Sequence, residues 1–184
     1  MYIKKKLVYL LRKYLKEISG ALKPHFLYVY MDKNKVEILI NSALEEDSSL
    51  FLVDLTIEAD NKIIVTIDGD NGVPLKECIR VSRFVEADLD REEEDYSIEV
   101  ATPDIAKPIV MKRQYVKNIG RVLNVTTAEE KYEGVLAEVH EDNIELSWEA
   151  REPKPIGKGK ITVQKKAVIA YEEIKETKVK ILFS

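Results

Sequence analysis

Residues 65–109 read VTIDGDNGVPLKECIRVSRFVEADLDREEEDYSIEVATPDIAKPI, and the changes of period along this stretch set the fold class. Val65 and Ile67 alternate with polar neighbours and close a strand at Asp68. Gly69 and Gly72 mark an exit turn, and Pro74 suits the first turn of a helix. Leu75, Cys78, Ile79, Ser82, Val85 and Leu89 then recur at helical spacing as an inner stripe. An acidic loop over 91–95 leads into Tyr96, Ile98 and Val100, which alternate as another strand. Thr102-Pro103 and Lys107-Pro108 bracket a segment in which proline discourages helix, and we place a domain boundary there.

Upstream, Asp32 is an N-cap for a helix with Val36, Leu39, Ile40, Ala43 and Leu44 on its buried side. Phe51, Val53, Leu55 and Ile57 alternate as one strand, and Ile63, Val65 and Ile67 as the next, with a turn at Asp60-Asn61. The first domain, 32–102, reads α-β-β-α-β. After the Pro-bracketed linker 103–109 the period is mostly two. Strands are expected at 120–125, 131–140, 143–148, 161–170 and 177–183, with a helical turn at 171–174. Five short strands over 110–184 predict a small closed β-barrel, since closure removes exposed sheet edges. The expected class is α+β in two small domains.

The first thirty residues differ in kind. Seven lysines and arginines stand there against Glu17 alone, a net +6 that leaves −10 for the remainder of a chain whose total is −4. Ile3, Leu7, Leu11, Leu15 and Ile18 form an apolar stripe on a cationic helix. This segment, 1–31, reads as a basic amphipathic extension. The alternatives are an RNA- or membrane-surface arm, a helix packed on the body, or translation upstream of a start at Met31. Its apolar run breaks at Arg12-Lys13 and no small-residue cleavage site follows, so it is not read as a secretory signal. No stretch reaches the roughly 18 consecutive apolar residues of a membrane span, and the single cysteine, Cys78, has no internal disulfide partner. We expect a soluble cytoplasmic monomer.

Catalytic raw material is thin. His140 sits beside Glu141 and Asp142 in what reads as a solvated turn, and His25 lies in the atypical first segment. Asp68-Gly69-Asp70-Asn71-Gly72 fails as a calcium loop, because Gly72, Val73 and Ile79 occupy the positions that need a ligand, glycine and glutamate. No phosphate loop, GxSxG elbow or HExxH is present. No enzyme, cofactor, metal or small-molecule substrate is expected.

The stretch 65–109 resembles the ribosome maturation factor RimP family. The resemblance rests on a strand ending in Asp68, the turn glycine Gly72, a helix with Cys78 and the pair Ser82-Arg83, and the linker from Ala101 through Pro103 and Pro108 to Ile109. It extends more weakly through QYVKNIGRVLNV and covers about residues 32–184. Asp104 and Ala106-Lys107 depart from the family's linker pattern. The resemblance implies an α/β N-terminal domain, an Sm- or SH3-like C-terminal barrel, and binding to the immature small (30S) ribosomal subunit, with 16S rRNA and ribosomal protein twelve as partners. It implies no catalysis.

Affinity for RNA comes from local cations that displace counterions from phosphates. Lys107, Lys112, Arg113, Lys117 and Arg121 cluster at the linker, and Lys154, Lys158, Lys160, Lys165 and Lys166 crowd a later loop and strand. These are the expected rRNA-facing residues, the alternative being a solvated surface. The acidic run Glu86, Asp88, Asp90, Glu92, Glu93, Glu94 and Asp95 has the charge to meet a basic ribosomal protein, or simply solubilises the chain. Two other function classes stay open. A general Sm-like RNA chaperone would stack bases on aromatics, yet Tyr115, Tyr132, Trp148 and Tyr171 are scattered. A hydrolase would use Asp68 and Asp70.

Overall fold

The computed structural model describes residues 31–89 and 95–181. The readings made for residues 1–30 and for Asp90, Glu92, Glu93 and Glu94 lie outside the described residues. Residues 32–184 cluster as one compact unit.

Helix α1 (Lys33–Leu44) begins where Asp32 accepts a hydrogen bond from the Asn34 amide at 3.0 Å, and it buries Val36, Ile40, Ala43 and Leu44. Strands β1 (Leu50–Ile57) and β2 (Lys62–Gly69) pair antiparallel as the expected hairpin. Its tight turn uses Asn61 at φ 58°, a left-handed conformation that asparagine tolerates well. Helix α2 (Leu75–Asp88) returns the chain to β3 (Ser97–Ala101), which pairs parallel to β2 and completes the sheet order β1-β2-β3. Ile63, Val65 and Ile67 on β2 are fully buried, and both helices bury apolar residues in the same core.

The expected inner stripe of α2 needs correction. Cys78, Val81, Val85 and Leu89 are buried, whereas Leu75 is 75% and Ile79 43% exposed. Two apolar stripes share Cys78 and Val85, both with helical spacing, and only the position of the sheet selects the one through Val81. Arg80, on the flank of α2, ties the helices together. It donates to the Ala43 carbonyl at the end of α1 (2.7 Å), to Glu46 (2.9 Å) and to Glu77 (2.8 Å).

Beyond the linker a five-residue helix, α3 (Lys112–Val116), precedes β4 (Val122–Thr127), β5 (Lys131–Val139), β6 (Asn143–Pro153), β7 (Lys160–Ala170), a 3-10 turn at Tyr171–Glu173 and β8 (Ile174–Val179). The five strands form an antiparallel sheet in the order β7-β6-β5-β4-β8. Among the described residues no ladder joins β7 to β8, so the closure expected of a small barrel is not detected; what they form is a bulged five-stranded antiparallel sheet. Its edges carry Lys165 and Lys166 on β7 and Lys175 and Lys178 on β8, and lysine on an edge opposes strand addition without closure. Tyr115, Leu123, Val125, Leu136, Ile144, Leu146 and Ile169 make the second core.

Helix α3 was not foreseen, being too short to show a period. Gly120, expected to start a strand, has φ +85° and lies in the turn before it. The last strand starts earlier than expected, at Ile174, and β6 runs five residues further, to Pro153.

Candidate functional site

Two carboxylates, Asp68 at the end of β2 and Asp70 in the turn after it, receive side chains from α3 and the residue that follows it. Asp68 is 2% exposed. It accepts from the Gly69 amide (2.8 Å), from Gln114 Nε2 (3.1 Å) and from Lys117 Nζ (2.5 Å). Gln114 is buried as well, and its Oε1 accepts from the Val110 and Met111 amides at 3.0 and 3.2 Å, so one side chain caps α3 and bridges to β2. Asp70 meets the fork of Arg113. That guanidinium also donates to the Ser48 carbonyl at 2.6 Å and lies 4.6 Å from the Phe51 ring centroid. The hydrogen bond from Arg113, reinforced by its charge, holds the Asp70 carboxyl below its usual range, and the same bond raises Arg113. These contacts lock the three-stranded and five-stranded sheets together through polar groups.

Beside this lock opens a cleft of about 270 Å³. Asp68, Gly72, Pro103 and Pro108, four positions of the motif read in the sequence, line it together. Lys107, Lys117 and Arg121 bring cations to the same cleft, and Asp104 a carboxylate. Ser82 and Arg83 do not join them. They flank a shallow groove on α2 with the exposed Leu75 and Ile79.

The remaining expected residues fall into two groups. Lys112 donates to the Glu141 carbonyl and lies 4.9 Å from the Tyr171 ring centroid, while Lys165 pairs with Glu152 (2.5 Å) and Lys166 with Glu145 (2.6 Å). Lys158 and Lys160 are exposed and have no carboxylate within salt-bridge distance among the described residues. Of the acidic group, Asp88 ends α2 and Asp95 is exposed just before β3, where its carbonyl accepts from Asn61. Tyr115 and Tyr171 pack edge to face at 5.4 Å, as do Tyr132 and Trp148 at 6.4 Å, so the aromatics weighed as a stacking platform contact one another. His140 is half exposed, 3.4 Å from Glu138. Sequence reading missed Gln114 and Arg80. The spacing of Gln114 three residues after Met111 is the one signal that could have revealed a cap.

A ribosome maturation factor RimP of Christiangramia forsetii is 52% identical over 153 residues, which is 83% of this chain and 100% of that relative. The chain belongs to the ribosome maturation factor RimP family. A RimP of Flavobacterium psychrophilum is 49% identical over 82% of this chain and 98% of its own length, and one of Chlorobium phaeobacteroides is 31% identical over 67% and 82%. The RimP N-terminal domain model matches residues 39–106, which includes Asp68, Gly72, Ser82, Arg83 and Pro103. Among the described residues no helix is long and apolar enough to cross a membrane.

Proposed function

We propose that this chain is a non-enzymatic assembly factor that binds the immature small ribosomal subunit in the cytoplasm, contacting 16S rRNA and ribosomal protein twelve. Membership of the RimP family carries this reading. The convergence of Lys107, Lys117 and Arg121 on one cleft supports the linker side as the face toward rRNA. Lys112 and Arg113 lie on the same short helix. Asp88, Asp95 and the acidic residues between them supply the opposite charge for a basic ribosomal protein.

Sedimentation of the endogenous protein through a sucrose gradient at low and moderate salt tests the proposal. Salt-sensitive migration with free small subunits and absence from intact ribosomes is expected. Migration with soluble protein at both salts would overturn it. Lys107→Glu with Arg121→Glu removes two cleft cations that take no part in the lock to Asp68 and Asp70, and it should weaken subunit binding without a matching loss of stability.

A further inference from the structure

Strand β6 pairs with β5 only from Ile144 to Ser147, yet its ladder with β7 continues to Pro153 opposite Lys160. From Glu149 to Pro153 and back from Lys160 to Gln164 the chain is a two-stranded ribbon with no third strand among the described residues, extending about 17 Å past the sheet at the usual strand rise. No residue from Ser147 to Val168 is buried. Trp148 and Ala167, at its base, pack partly buried against the core of the sheet, whereas among the described residues none from Glu149 to Gln164 does. At its tip, Lys154-Pro155-Ile156-Gly157-Lys158-Gly159 closes through a bond from the Lys154 amide to the Gly159 carbonyl at 3.1 Å, with Gly157 at φ 89° and Gly159 at φ 116°. Both glycines adopt left-handed conformations that other residues rarely take.

The charges sort along the ribbon. Lys166 pairs with Glu145 within the sheet, and Lys165, at the ribbon's base, reaches Glu152, one position short of the Pro153–Lys160 end. At the tip Lys154, Lys158 and Lys160 are exposed, and none has a carboxylate within salt-bridge distance among the described residues. Arg113 and Lys117, by contrast, already hold Asp70 and Asp68. Of the cations expected to face RNA, those at the tip, like Lys107 and Arg121 at the cleft, have no carboxylate partner among the described residues and are available to an external polyanion.

We infer that the β6–β7 ribbon is an RNA-contacting arm whose tip lysines bind phosphates while Ile156, 90% exposed, packs on a ribose or base face. A narrow, stiff ribbon with point charges at its end reaches between phosphate strands where a flat sheet cannot. An anionic bilayer would also attract the lysines, but one isoleucine at the tip offers too little apolar surface to anchor there. The inference deepens the assembly-factor reading and rests on it.

Two full-length variants test it: Lys154→Glu with Lys158→Glu and Lys160→Glu, and a chain in which residues 154–159 are replaced by Asn-Gly, a turn suited to a two-residue hairpin. Thermal unfolding first checks that both fold. Anisotropy of fluorescein-labelled small-subunit rRNA is then followed from about 50 to 200 mM salt. The triple variant should bind at least about tenfold more weakly, with a salt slope smaller by about 2 to 3. The shortened chain should also bind more weakly, with a smaller reduction in slope. Unchanged affinity and slope in both would overturn the arm, as would wild-type binding to phosphatidylglycerol vesicles but not to the RNA. If wild-type protein migrates with free small subunits while the variants bind RNA normally, the arm alone fails. If wild-type protein does not migrate with them, the assembly-factor reading fails first.

Discussion

Arg113 and Asp70 face each other as a two-point pair, Nε to Oδ1 at 2.7 Å and Nη2 to Oδ2 at 2.6 Å, joining α3 to the turn after β2. Both side chains are more than a third exposed, so solvent screens the pair and its own contribution is about 1 kcal/mol or less. The guanidinium also covers the Phe51 ring and holds the Ser48 carbonyl. Arg113→Ala should therefore cost about 1–2 kcal/mol in urea unfolding. Arg113→Lys should recover only part of that, because an ammonium cannot make the fork. Full recovery by lysine would show that charge alone matters.

The same pair makes stability depend on acid. Asp70 has a folded-state pKa below its ordinary 3.8, chiefly through the hydrogen bond from Arg113. A depressed carboxylate contributes stability above its unfolded pKa and loses it as pH falls through the folded value. Asp47, lowered by hydrogen bonds from Ser49, acts with the same sign. Urea midpoints of the wild type should thus drop below about pH 4. In Asp70→Asn the drop should be shallower but not abolished. Parallel pH curves for the two proteins would mean that the pair is not formed in solution.

Asp68 should matter more than Asp70. Its side chain is 3% exposed and Lys117 is 26% exposed, and removing one member of a buried pair leaves the other charge uncompensated. Asp68→Ala should cost about 2–4 kcal/mol, since Gln114 loses its acceptor too. A double-mutant cycle between Asp68→Ala and Lys117→Met should give a coupling of about 1 kcal/mol or more. Additive effects would remove the contact from the lock.

Gly69 and Gly72 stand three residues apart and should respond differently to alanine. A Cβ on Gly69 would come within 2.8 Å of the Gly72 carbonyl oxygen and 2.9 Å of Leu50 Cδ2, so backbone must shift. Gly72 has open space around it but φ +82°, which costs alanine about 1 kcal/mol. Gly69→Ala should lower the urea midpoint more than Gly72→Ala. The reverse order would place the strain, rather than the crowding, in control of this turn.

Alternation along β1 and β2, the N-cap at Asp32 and the proline-bracketed linker were enough to determine the α-β-β-α-β order from the sequence alone, because strand and helix periods and capping chemistry are local properties. The run ending in Asp68 and the linker around Pro103 and Pro108 also pointed to the family. Only the tertiary structure decided which stripe of α2 faces inward, since Leu75 and Ile79 fit the helical period as well as Val81 does. It also decided the strand order β7-β6-β5-β4-β8 of the second sheet, because strand count does not specify which strands pair. Most consequentially, it divided the cations. Lys117 and Lys158 are alike in sequence, but Lys117 lies against a buried carboxylate 49 positions away and Lys158 projects from the end of a ribbon. A charge is free or committed according to its neighbours in space, and those neighbours come from distant segments whose pairing depends on packing.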